Sequence, residues 1–377
     1  MSNLSLNNLD TKHPLYKRIE LYGLPHSKTE QYRNFPIKAI LAREYTFKKV
    51  QFAQMREGKK LLIENGEVVE YPKGVKILLD KTFNADEEHF DVLYFASHML
   101  SKAVIYIEIT ENLKFEMQHI FNNQETLLSY RIAIRVKKNL KVEVFESFEM
   151  HGSENSFFLY GIDAMVEEDS TILWIRYENR EDTEAMLVGA HKYSVAKQGA
   201  LELKTFDYGS ASSLHLYKID LEDYAWLDAA HILLATKEAK RGNVIQANHN
   251  KPYAKSVQEA RSILKDTATG IFDAKICVAK TAPYSNTSQN SKAILLDEHA
   301  HMYAKPQLEI YIDELKASHG STIGTLDEDA LFYLSSRGIK QDDARRMLVL
   351  AFADNLIHTI KDKTYSKKIL EAFEFLL

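Results

Sequence analysis

Lys305–Gly338, KPQLEIYIDELKASHGSTIGTLDEDALFYLSSRG, carries the densest set of structural signals in the chain. Leu308, Ile310 and Ile312 alternate with Glu309, Tyr311 and Asp313, which predicts a strand with one apolar and one polar face. Ser318-His319-Gly320-Ser321 reads as a bend, because glycine lets the backbone turn sharply beside an imidazole. Thr325-Leu326-Asp327-Glu328 has the S/T-x-x-E spacing of a helix start, and Gly338 stands where a left-handed residue closes a helix. A strand, a bend with one histidine and an aromatic-bearing helix follow in order.

Working outward, short alternating runs recur upstream: Val104–Ile109, Tyr130–Val136, Lys141–Phe148, Thr171–Tyr177, Ala200–Phe206, Ser212–Ile219 and Ile271–Val278. Almost no amphipathic helix of useful length lies between them. Parallel strands in an open sheet need crossover helices, so a doubly wound fold is excluded. A sandwich, a barrel and a parallel β-helix stay open, and no clear repeat length chooses among them. Before this region, residues 1 to 58 read as mostly helical, with Leu15, Ile19, Tyr22, Ile37, Ile40 and Leu41 at helical spacings. Asn65-Gly66 marks a hairpin, and Asp91–Leu100 a short helix. After it, Gln341–Ile360 shows a stripe of Ala344, Met347, Leu348, Ala351, Phe352, Leu356 and Ile360, and Tyr365–Leu377 a last helix.

The 377 residues are 45% hydrophobic and 27% charged, with a net charge of −5 and no basic block, so nothing favours a nucleic-acid partner. The N-terminal residues lack the apolar core of a signal peptide, and no apolar run is long enough to span a membrane; cytoplasmic residence is expected. A phosphate-binding P-loop, a dinucleotide fingerprint, an HExxH motif and a Gly-x-Ser-x-Gly elbow are all missing, so no enzymatic activity is expected. There is one cysteine, Cys277. An iron–sulfur cluster takes about four thiolates, so this chain alone holds none.

The quoted stretch resembles the C-terminal signature of the SufB/SufD family, subunits of the sulfur-mobilisation machinery that builds iron–sulfur clusters. The matching residues are Lys305-Pro306-x-Leu308-Glu309-Ile310, Ser318-His319-Gly320-Ser321-Thr322-x-Gly324, Leu326-Asp327-Glu328 and Phe332-Tyr333-Leu334-x-Ser336-Arg337-Gly338-Ile339. Further matches are Asn248-His249-x4-Ala254-x-Ser256, Gly270-Ile271-Phe272, Gln289-Asn290 and Ile294-Leu295-Leu296. Gly23-Leu24-Pro25 and Glu30-Gln31-Tyr32-Arg33 resemble the family's N-terminal helical region. The resemblance implies a mainly β fold: a right-handed parallel β-helix over 101–325, flanked by an N-terminal helical region with a hairpin (1–100) and a C-terminal helical region (326–377).

It also implies a non-catalytic, SufD-like subunit that pairs with a SufB-like scaffold and docks a SufC-like ABC ATPase, with a homodimer as the substitute pairing. His319 would then face the partner, where iron or a nascent cluster is shared; read from the residues alone, a turn histidine bonded to backbone is the favoured reading, and the resemblance brings the two level. Two departures matter. Ala317 stands where SufD-type chains often carry a cysteine, and Gly320 where SufB-type chains place a glutamate. His299 and His301 would share a strand face as a weak half of a metal site, with a solvated strand as the favoured reading. Cys277 reads as a small buried apolar residue. Leu331, Phe332, Tyr333, Leu334, Arg337, Met347 and Phe352 are candidates for the ATPase surface. The alternative function is a β-helix that binds or acts on carbohydrate, though no convincing acid pair is seen.

Overall fold

The computed structural model describes residues 3–5, 9–48, 50, 55–78, 84–101, 104–181 and 185–377. From Val104 to Gly324 the strands alternate strictly between two sheets, and each one from Thr126–Val136 to Asn286–Leu295 pairs in parallel with the strand two before it and the strand two after. This is a parallel β-solenoid of about eight turns. Ala200 lies beside Trp226, Thr171 beside Ala200 and Gly270 beside Met302, so a turn takes 26 to 32 residues. That spread explains why no fixed period shows in the sequence.

Alternation within each strand sends side chains to two different cores. In Thr171–Arg180, Ile172 and Trp174 fill the coil interior while Ile175 and Tyr177 point outward beneath the C-terminal helices. In Phe157–Val166, Phe158, Tyr160 and Ile162 face inward, and Phe157 and Leu159 pack under the N-terminal segment. Strands buried on both faces lose the apolar–polar rhythm that marks a half-exposed sheet. Phe157–Val166 and Trp226–Ala235 were not recognised in the sequence for that reason.

The N-terminal region is less helical than its spacings suggest. Among the described residues helices are confined to Tyr16–Tyr22, Ile37–Ala42 and Val92–Leu100, with a short 3-10 turn at Glu30–Tyr32; the helical reading of residues 1–2, 6–8, 49 and 51–54 lies outside the described residues. The hairpin is present: Leu61–Glu64 pairs antiparallel with Glu67–Pro72, and Asn65 and Gly66 both take positive φ. Asp91 caps Val92–Leu100, its carboxylate accepting from Leu93 N and Tyr94 N and from the Tyr32 hydroxyl at 2.7 Å. That helix presents Leu93 and Phe95 to Leu159, Val188, Leu216 and Val244 on the outer face of one sheet.

Three helices, Glu328–Ser336, Gln341–Ile357 and Lys363–Leu376, close the chain against the other sheet. The first is capped by Asp327, whose side chain accepts from Asp329 N and Ala330 N, so the Thr325–Glu328 capping box is not what starts it. Gly338 has φ +86°, and Ile339 N donates to Leu334 O, the expected left-handed stop. In Gln341–Ile357 the buried residues are Ala344, Val349, Ala353, Leu356 and Ile357, and the last four share a cluster with Ile175, Phe206, Ile232 and Ile263. The stripe read from the sequence was rotated by part of a turn, and Met347 and Ala351 face outward. Among the described residues no helix is long and apolar enough to cross a membrane.

Candidate functional site

The last turn of the coil is half-finished. Among the described residues His301–Ile310 pairs only with Thr269–Val278, and Lys316–Gly324 only with Asn286–Leu295, so each has one edge of unpaired backbone groups. Every residue of Lys316–Gly324 is exposed except the half-buried Ala317. His319 sits in the middle of this strand, not in a bend. Gly320 continues the ladder opposite Asn290, because pairing with Asn286–Leu295 supplies what the local bend signals lacked. Register places His319 beside Gln289 and Gln289 beside Gln258, on the column of positions that faces the coil interior. The imidazole therefore stands at the mouth of the coil, exposed because no further turn covers it.

The other histidines do not join it. His301 opens the strand of the opposite sheet, and His299 lies in the preceding turn, so the two do not share a strand face as expected. Cys277 is half-buried rather than buried. It lies on the outer face of Thr269–Val278 in register with Glu309, its Sγ 3.5 Å from that carboxylate, with Lys275 Nζ 3.2 Å from the same group. Burial pushes its thiol up to about 11, so it is a poor nucleophile at neutral pH. Tyr311 donates to Glu309, giving the polar face expected there.

The sequence did not disclose a second feature, a polar vein inside the coil. Glu146 accepts from Trp174 Nε1 at 2.7 Å and lies 3.2 Å from His119, whose Nδ1 meets the Tyr130 hydroxyl. Two turns on, Ile162 N donates to His191 Nδ1. His191 must then donate from Nε2 to His215 Nδ1, and His215 from Nε2 to Glu178 at 2.8 Å. Arg241 donates to Glu178 at 2.6 Å, and Arg176 to Asp207 at 2.8 Å and to Asn243 at 3.2 Å. Burial pushes the Glu178 carboxyl up, but Arg241, Arg180 and His215 override it and hold it well below the usual carboxylate range. His215 is lowered by burial and then by Arg176.

Glu178, Asp207 and His215 bring their ligand atoms within 4.8 Å of one another, the one such group among the described residues. Their donor types suit a divalent metal. Their electrostatics do not, because Arg176, Arg180 and Arg241 already saturate both carboxylates. The signal that could have found the vein is the alternation Arg176, Glu178, Arg180, three charged residues on the face that Ile172 and Trp174 mark as interior.

Residues 119–352 match the family described as SUF system FeS cluster assembly, SufBD core domain. This chain belongs to the SufBD family. The matched segment includes the polar vein from His119 onward, the unfinished turn, the first C-terminal helix and most of the second. The iron–sulfur cluster assembly protein SufD of Escherichia coli (strain K12) is 38% identical over 122 residues, 32% of this chain and 29% of that protein. A SufBD family protein of Synechocystis is 25% identical over 277 residues, covering 70% of this chain and 60% of the relative. One from Pyrococcus horikoshii is 24% identical over 336 residues, 85% of this chain and 73% of its own length. The chain thus matches less than two thirds of the length of the first two relatives.

On this SufBD chain the seven residues named for a docking surface divide. Phe332, Tyr333 and Met347 are 76%, 57% and 48% exposed, and Arg337 is exposed with its guanidinium over the Tyr333 ring. Leu334 is half-buried, Leu331 is buried, and Phe352 lies under Arg261. Helix Glu328–Ser336 buries only Leu331, so nearly all of its surface faces solvent.

Proposed function

We propose that this SufD-like chain is a non-catalytic subunit of a cytoplasmic iron–sulfur assembly complex. It pairs through its unfinished turn with a SufB-like scaffold and receives a SufC-like ABC ATPase on its C-terminal helices. The observation that carries the reading is the unpaired edge of Lys316–Gly324 with His319 at its centre. An exposed strand edge is a template for a partner strand, and a protein that leaves one uncovered normally covers it in an assembly. Where no SufB-like chain is present, the same edge supports a homodimer. Iron or a nascent cluster would be shared at that junction; this chain offers His319 and, with Ala317 in place of the family cysteine, no thiolate beside it.

The exposed Phe332, Tyr333 and Met347 form the second surface. Aromatic side chains dominate the binding energy of such patches. Co-expression with a SufB-like and a SufC-like subunit, followed by affinity capture on this chain, is expected to recover both. Phe332→Asp should weaken ATPase binding by about 30-fold or more while leaving the SufB-like subunit bound and the circular dichroism spectrum unchanged. His319→Ala should leave both partners bound and lower the iron recovered with the complex. Failure to capture either partner, with clusters assembled by the isolated chain, would overturn the reading.

A further inference from the structure

The coil interior changes character toward its open end. In the middle turns Tyr160, Trp174, Tyr193 and Tyr217 fill it, whereas in the last turns Ala229, Ala247, Ala260, Ala274 and Ala293 are interleaved with Leu227, Leu233, Ile245, Leu264 and Phe272. Gln258 and Gln289 stand among these small side chains at 0% and 2% exposure, side by side in register and next in line to His319. Gln289 gives one amide hydrogen to Ala274 O at 3.0 Å. Its Oε1, both amide atoms of Gln258, Ser291 Oγ and His231 Nε2 have no partner among the described residues.

Buried polar atoms are almost always satisfied, by protein or by ordered water. Five such atoms in one stretch, with alanines among the residues around them, supply the polar partners that buried water needs. Donors and acceptors are both present, since Gln258 offers an NH2 and a carbonyl, and Ser291 a hydroxyl that does either. Neighbouring positions on adjacent strands are about 4.8 Å apart, a gap that one water can span between side-chain ends.

We propose that Gln258, Gln289, Ser291 and His231 hold a file of ordered water leading to His319, and that Gln289 is a positioning residue for the His319 ring. The unpartnered Gln289 Oε1 sits one strand from the imidazole, so a water held there accepts from or donates to one ring nitrogen. The file sets which nitrogen carries the proton and which is free to face outward.

The test uses the full-length chain without metal, so that it stands or fails apart from the iron reading. Oxygen-17 relaxation dispersion counts long-lived internal waters, and nitrogen-15 shifts of labelled histidine report the His319 tautomer. Gln258→Met, close to isosteric, is expected to remove at least one long-lived water. Gln289→Met is expected to shift the His319 nitrogen resonances while leaving those of His299 and His301 in place. Ser291→Ala is a smaller change expected to lose one water, and it serves if either glutamine variant does not fold. The inference is overturned if the count is unchanged in Gln258→Met and Ser291→Ala, or if Gln258→Met melts higher than the parent, as relief of dry amide atoms would produce. It is equally overturned if His319 ignores Gln289→Met.

Discussion

Acidification from pH 7 to pH 5 is expected to unfold most of this protein at room temperature. Burial lowers six histidines below their ordinary value. His89 and His231 come down to about 3, and His98 and His249 to about 4. His191 and His215 are lowered as well. In each case the folded value lies under the unfolded one, so the stabilisation is complete above about pH 6.5 and drains away as the pH falls toward the folded value. At pH 5 each of the four valued histidines has lost about 2 kcal/mol, together about 8 kcal/mol.

That sum is comparable to the whole stability of an ordinary domain, about 5–15 kcal/mol. Asp91 works in the opposite direction: burial raises its carboxyl to about 6, so the fold takes up its proton first and regains about 1 kcal/mol at pH 5. The histidines win by number. Circular dichroism across pH 8 to 4 should show a steep loss beginning near pH 6.5, before ordinary carboxylates titrate. A midpoint below pH 4 would show that these rings are not held neutral.

The second large effect is expected from Glu178→Gln. The carboxylate is fully buried and serves Arg241, Arg180 and His215 at once. Removing its charge while keeping its shape leaves the buried Arg241 and Arg180 guanidinium groups without their carboxylate. Breaking a buried pair in this way typically costs about 3–5 kcal/mol. A urea titration should show the midpoint falling with an unchanged slope. Phe332→Asp, on the exposed helix, should not move it. A Glu178→Gln chain as stable as the parent would mean that water reaches the arginines.

Some of the architecture was legible in the sequence, and the reasons differ by element. Lys141–Met150 has Lys141 and Glu143 exposed against buried Val142 and Val144, so its start shows the alternation of a half-exposed strand. Trp226–Ala235 is buried almost throughout and shows none. The corners were invisible for a different reason. Among the described residues, ten from Glu125 to Tyr284 take positive φ at turns without being glycine, Asn139, Asp169, Gln198 and Tyr253 included, so glycine does not mark these turns. The fold therefore rested on the family resemblance, which the match over residues 119–352 supports.

The setting of His319 was not legible. A Ser-His-Gly-Ser run has the composition of a bend, and only the neighbouring strand holds it straight. The vein was missed because a sequence reader assigns charged residues to the surface. Arg176, Glu178 and Arg180 occupy interior positions only because partners from other turns are waiting for them.

Those partners bear on modularity. Stacked-repeat proteins normally tolerate the deletion of a unit, since each one touches only its immediate neighbours and stability adds up piecewise. Here Glu178 clasps Arg241, and Arg176 reaches Asn243, each across more than 60 residues of chain. A truncation or excision anywhere between residues 176 and 243 would strand half of these clasps, so that block should melt as one unit while the turns on either side fray independently.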